Sequence, residues 1–175
     1  MIRNILTVGN LKGGIMEQLI WILNKTIYPV YSLIINSFYW LFNINDLNHT
    51  LEEKARMKDG IKTEKDISNI LTRFIWKKDS LIDWTPWIIT IIHQNFKDDC
   101  DGAATLGKWL YKCIGVKSNL VVLYKDIKSD AHLVCVRKDK TEMISNNVLV
   151  KLDPDKWNYC IMDYFNFKYE TIIIV

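Results

Sequence analysis

The hydrophobic period of this chain changes at Gly115, and that change restricts its fold more than any other feature. Before Gly115 apolar residues recur every three to four positions; after it come short runs rich in Val, Ile, Tyr and Phe. Ile67, Ile70, Leu71, Phe74 and Ile75 lie on one helical face, and Ala103, Ala104, Leu106, Leu110, Cys113 and Ile114 on another. Thr50 to Glu53 reads as a capping box before a helix over 51–59, with Gly60 at its end, and Thr63 to Asp66 repeats that start. Thr85-Pro86 puts Pro at a first helical position, and Asp98 and Asp99 are candidate caps for the helix that Gly115 ends. Strands are expected at 120–124, 132–137, 143–150, 159–165 and 167–175. Helices followed by an antiparallel meander give an α+β class for residues 49–175.

Residues 1–48 stand apart as an apolar helical appendage. From Ile15 to Ile44 the only charges are Glu17 and Lys25, and Ile27 to Ile44 carries none. Eighteen uncharged residues reach the lower limit of a membrane span, but Pro29, Ser32, Asn36, Ser37 and Asn43 are poorly suited to lipid. Burial against the chain itself, a protein partner and an interfacial membrane segment stay open, with membrane the minority reading. Covering Trp21, Tyr28, Tyr31, Phe38, Tyr39, Trp40 and Phe42 needs a large complementary surface, so residues 15–44 are expected to meet a partner or an oligomer rather than the 49–175 core. No small-residue cleavage site follows the apolar stretch, so no cleavable signal peptide is expected.

Charge excludes one class of partner. The 23 basic and 20 acidic residues are scattered, with no basic stripe for nucleic-acid phosphates. Cys100, Cys113, Cys135 and Cys160 lack the close pairing of a zinc ribbon or a disulfide scaffold, which suggests free thiols in a reducing compartment. The expected location is the cytoplasm or a larger assembly such as a virion, with membrane association the minority reading. The Ile, Lys and Asn usage suggests an AT-rich bacterial or phage genome.

Chemistry concentrates in Asp98-Asp99-Cys100-Asp101-Gly102. A Cys in the first helical turn meets unpaired N–H groups and the positive end of the dipole, which favour thiolate, while the Asp side chains oppose it. His132 opens a strand. With a three-residue loop at Lys138 to Lys140, Val134 pairs with Ile144 and His132 with Asn146, on the face that helix 100–114 covers. A one-residue slip substitutes Asn147 on the opposite face. The result is a nucleophile, base and orienter set, Cys100, His132 and Asn146. The Cys100 N–H and the Gln94 amide are oxyanion candidates, with the indole N–H of Trp84 or Trp87 a weaker one. His132 and Cys135 fall on opposite strand faces and make no metal pair, and His49 and His93 read as surface or packing residues. Gly9, Gly13 and Gly14 lack the Lys and Ser/Thr of a phosphate loop.

Four stretches taken in order, Asp83-Trp84-Thr85-Pro86, Asp99-Cys100-Asp101, Ala131-His132-Leu133-Val134 and Ile144-Ser145-Asn146-Asn147, resemble the bacterial transglutaminase-like cysteine proteinases over about residues 75–150. The resemblance implies a papain-like, transglutaminase-like core and a triad carried by Cys100, His132 and Asn146. Asn146 stands where that family usually has Asp, as papain-type enzymes allow; Gly102 replaces an acidic residue and Ala103 an aromatic, and residues 1–48 lie outside the likeness. The implied activity is thiol-dependent hydrolysis or acyl transfer on peptide or side-chain amides, with no cofactor or metal. The alternative is a catalytically silent structural or interaction protein that keeps the fold and binds a partner through residues 15–44.

Overall fold

A computed structural model describes residues 28–78, 85–125 and 131–175. Residues 15–27, Asp83 and Trp84, singled out above, lie outside the described residues. Helix α1 (Tyr28–Phe42) and a 3-10 turn (Ile44–Asp46) precede α2 (Leu47–Gly60), α3 (Glu64–Leu71) and a short strand β1 (Ile75–Trp76). Then come α4 (Ile88–His93), β2 (Lys97–Asp98) and α5 (Cys100–Cys113). Strands β3 (Ser118–Tyr124), β4 (His132–Arg137), β5 (Glu142–Ser145) and β6 (Val148–Lys151) follow, with α6 (Trp157–Tyr164) before β7 (Thr171–Ile174). β1 and β2 form a parallel pair of their own. The other strands make an antiparallel sheet in the order β6-β5-β4-β3-β7. The α+β class expected from the period change is the one observed.

Helix α6 overturns the expected strand at 159–165. Its aromatic content favours a strand, but Trp157 and Ile161 repeat at helical spacing and bury against the sheet. Both faces of the sheet are therefore covered. Leu133, Cys135, Ile144, Val122 and Ile173 pack with Ala103, Leu106 and Leu110 of α5. Val134, Val136, Met143, Val121 and Ile172 pack with Trp157, Ile161 and Met162 of α6 and with Tyr169. Gly107 lets α5 lie close to the sheet, since a Cβ there would sit 3.1 Å from Ile144 and 3.2 Å from Cys135.

Three local expectations also change. Thr50 lies inside α2, where its hydroxyl donates to Asp46 O at 2.9 Å, so no capping box forms there. Trp87 caps α4, which places Pro86 before the helix. The run at 143–150 is a hairpin turning at Asn146 and Asn147, not one strand. By contrast, the Thr63–Asp66 capping box and the Asp99 cap of α5 form as expected.

The β4–β5 register differs by one residue from that expected. Cys135 pairs with Ile144 and Val136 with Met143. The loop runs from Lys138 to Thr141, one residue longer than a three-residue turn. Lys140 takes φ 63°, and Asp139 Oδ1 accepts from the Thr141 N–H and hydroxyl. Arg137 Nη1 then donates to the buried Glu142 at 3.2 Å, while Lys151 and the Tyr111 hydroxyl also meet that carboxylate. One extra loop residue moves every β5 side chain to the other face.

Helix α1 packs with its polar side inward. The fully buried Asn36 donates to Ser32 O and Thr85 O, and its Oδ1 accepts from Trp87 N at 2.7 Å and the Thr90 hydroxyl at 3.1 Å. Ser32 Oγ accepts from Thr85 N, and Trp40 Nε1 donates to Thr90. Val30, Leu33, Ile34, Phe38, Leu41 and Phe42 are exposed on the other side.

Candidate functional site

Cys100 is the first residue of α5. The Asp99 side chain accepts from Asp101 N at 3.0 Å and caps the helix, while the buried Asp98 accepts from Asp99 N at 2.8 Å. Cys100 Sγ lies 3.8 Å from Asp101 Oδ1, and Asp101 Oδ2 accepts from the Thr85 hydroxyl at 3.0 Å. Gly102 follows because its place is crowded: a Cβ there would fall 2.5 Å from the Asp98 side chain. That crowding leaves no room for a side chain at this position. Ligand atoms of Asp99, Cys100 and Asp101 lie within 4.8 Å of one another, but their contacts to Asp101 N and Thr85 are those of a capped helix start.

The direction of α5 sets the level of the thiol along the sheet. Gly107 lies against Cys135, and Tyr111 reaches Glu142 beyond it, so α5 runs the same way as β4. Seven residues back from Gly107 is about 10 Å, which reaches Cys100. Three residues back from Cys135 is also about 10 Å, which reaches His132. Cys100 and His132 thus share one end of the sheet.

They do not share a face. His132 Nε2 is hydrogen-bonded to Ser145 Oγ at 3.2 Å. Its ring meets Phe165 edge-on at 5.0 Å and stacks on Tyr169 at 6.1 Å. These neighbours belong to the α6 side, whereas Cys100 packs with the α5 cluster. Burial, with the Lys168 charge adding to it, pushes the His132 pKa down to about 4. The ring is held neutral.

The expected His132–Asn146 pairing is absent. Asn146 has left β5, sits in the β5–β6 turn at φ 51°, and its buried Oδ1 has no hydrogen-bond partner. Asn147, the alternative third member, is exposed in the same turn. Gln94 caps the C-terminal end of α4, its backbone N–H donating to Thr90 O at 2.9 Å. Trp87, whose indole N–H is the weaker candidate, is exposed at the start of α4. The structure therefore does not assemble Cys100, His132 and Asn146 into a triad. Strand alternation holds, with His132 on the face of Val134 and Val136, but the helix covering that face is α6, whose composition reads as a strand. Buried Cys135, beneath Gly107, has its thiol pushed up to about 11 by burial.

No family model and no curated protein matches the chain. The likeness to the transglutaminase-like proteinases thus rests on the order of its four motifs.

Two arrangements have no forerunner in the sequence pattern. Ser145, inside the fourth motif, holds His132 in place of Asn146. His93, expected as a surface or packing residue without an acidic partner, meets the Tyr39 hydroxyl through Nδ1 at 2.6 Å and Asp46 through Nε2 at 3.4 Å. Those contacts tie α1 and the 3-10 turn to α4, between residues so far apart in sequence that no local pattern marks them.

Proposed function

We propose that this chain is a binding protein that presents the outward apolar side of α1 to a partner and does not work through a Cys100–His132–Asn146 triad. One observation carries the reading: α1 turns Ser32 and Asn36, with Trp40, onto its own core and leaves Val30, Leu33, Ile34, Phe38, Leu41 and Phe42 outside. A buried Asn is costly unless fully hydrogen-bonded, as Asn36 is, so the orientation is specific. An exposed apolar patch of this extent is characteristic of an interaction surface. Among the described residues no helix is long and apolar enough to cross a membrane. The test is Phe38→Glu with Phe42→Glu, which should leave the circular dichroism unchanged and abolish association; unchanged association would contradict the reading.

A second reading is favoured by the position of Cys100 at a capped helix start: thiol-dependent hydrolysis or acyl transfer on a peptide or side-chain amide, in a papain-like core. It requires His132 on the α5 side of β4. Loss of Cys100 alkylation on replacing His132 would support it over the first.

A further inference from the structure

From Val30, steps of three and four residues reach Leu33, Ile34, Ser37, Phe38, Leu41 and Phe42, all exposed, and Ile44 extends the row. We infer that the occupant of this stripe is the same stripe on a second copy of the chain, packed antiparallel about a two-fold axis near Ser37. The inference rests on the reading of α1 as a docking face and names what docks there.

Four observations support that occupant. The large apolar residues of the stripe are 47–81% exposed, several hundred Å² together, the order of one partner's share of a small stable interface. No charge occurs from Ile27 to Asn45, so the stripe meets itself without like-charge repulsion. The same lack of Lys and Arg argues against an anionic lipid surface, which basic residues normally hold. Ser37 is the polar residue in the row, and its hydroxyl already donates to Leu33 O at 2.8 Å, so burial at an axis leaves no donor unpaired.

Side-chain size sets the direction. Both phenylalanines, Phe38 and Phe42, lie in the C-terminal half of the stripe, while Val30, Leu33 and Ile34 occupy the other half. Antiparallel packing puts Phe42 beside Val30, Phe38 beside Ile34 and Leu41 beside Leu33 of the second copy. Small Ser37 meets its counterpart where the helices come closest. Parallel packing would set Phe against Phe and Val against Val, crowding one end and leaving voids at the other.

The experiment uses the full chain. Sedimentation at roughly tens of micromolar, where interfaces of this area are normally populated, should give twice the 20.6 kDa chain mass. Phe38→Glu with Phe42→Glu should weaken the dimer by about a hundredfold or more with unchanged circular dichroism. Ser37→Cys should form a disulfide-linked dimer on oxidation, absent from the wild-type chain. A monomeric wild type overturns the inference, and maleimide labelling of Leu41→Cys then separates the two levels of the argument. Rapid labelling of that monomer leaves α1 open as a docking face for a different partner. Protection of the introduced thiol in the monomer means the chain covers its own stripe, and the docking reading fails as well.

Discussion

Lowering the pH should destabilise this protein through His132. In the fold its pKa is pushed down to about 4, by burial first and the Lys168 charge second. In the unfolded chain it is about 6.5. Between those values the unfolded state binds the additional proton, so stability is complete above about pH 6.5 and falls as the pH drops toward 4. The full difference is about 3 kcal/mol at most, a large share of a small domain's stability. His132→Phe keeps an aromatic ring against Phe165 and Tyr169 while removing the titration and the Ser145 contact. Urea unfolding of both proteins at pH 7.5, 5.5 and 4 isolates His132 from His49 and His93. Wild type should lose about 2–3 kcal/mol more than the variant across that range. A His132 pKa above 6.5 by nuclear magnetic resonance would refute the reasoning, because that is the direction a neighbouring thiolate imposes.

Other substitutions test the packing. Asn36→Ala removes a buried side chain that accepts two hydrogen bonds and donates two, and should cost about 3 kcal/mol in chemical denaturation while making α1 sensitive to protease. Glu142→Ala leaves Arg137 facing a void beside Tyr111 and should cost about 3 kcal/mol by the same measurement, whereas Asp155→Ala in an exposed turn should cost under about 0.5 kcal/mol. Gly102→Ala forces a methyl onto Asp98 and should cost about 1–3 kcal/mol, with a lower melting temperature as the readout.

Several features set by neighbouring residues are legible in the sequence, although the Thr50 and Pro86 helix starts are misread, and those set by distant residues are not. Thr63 with Asp66, Asp99 before α5 and the apolar stripe of α5 depend on side chains a few positions apart, and each forms as expected. The β4–β5 register depends on whether the loop holds three residues or four. Lys140 at φ 63° and the Asp139–Thr141 contacts decide that, and no motif marks a Lys for the left-handed region. Reading 159–165 as a strand hides the second helical layer, so the face of His132 cannot be assigned from sequence. The apolar excess of α1 is visible, but its polar side points inward because of Thr85, Trp87 and Thr90, about fifty residues away.

The most direct test of whether this chain acts without a Cys100–His132 pair is the pH dependence of Cys100 alkylation, mapped by peptide, in wild type and His132→Phe. The fold described here predicts Cys100 rates that agree within about twofold between the two proteins at every pH, because the ring lies across the sheet from the thiol. Rapid alkylation well below the ordinary thiol pKa of about 8.5, falling tenfold or more in the variant, would contradict that arrangement and place His132 beside Cys100.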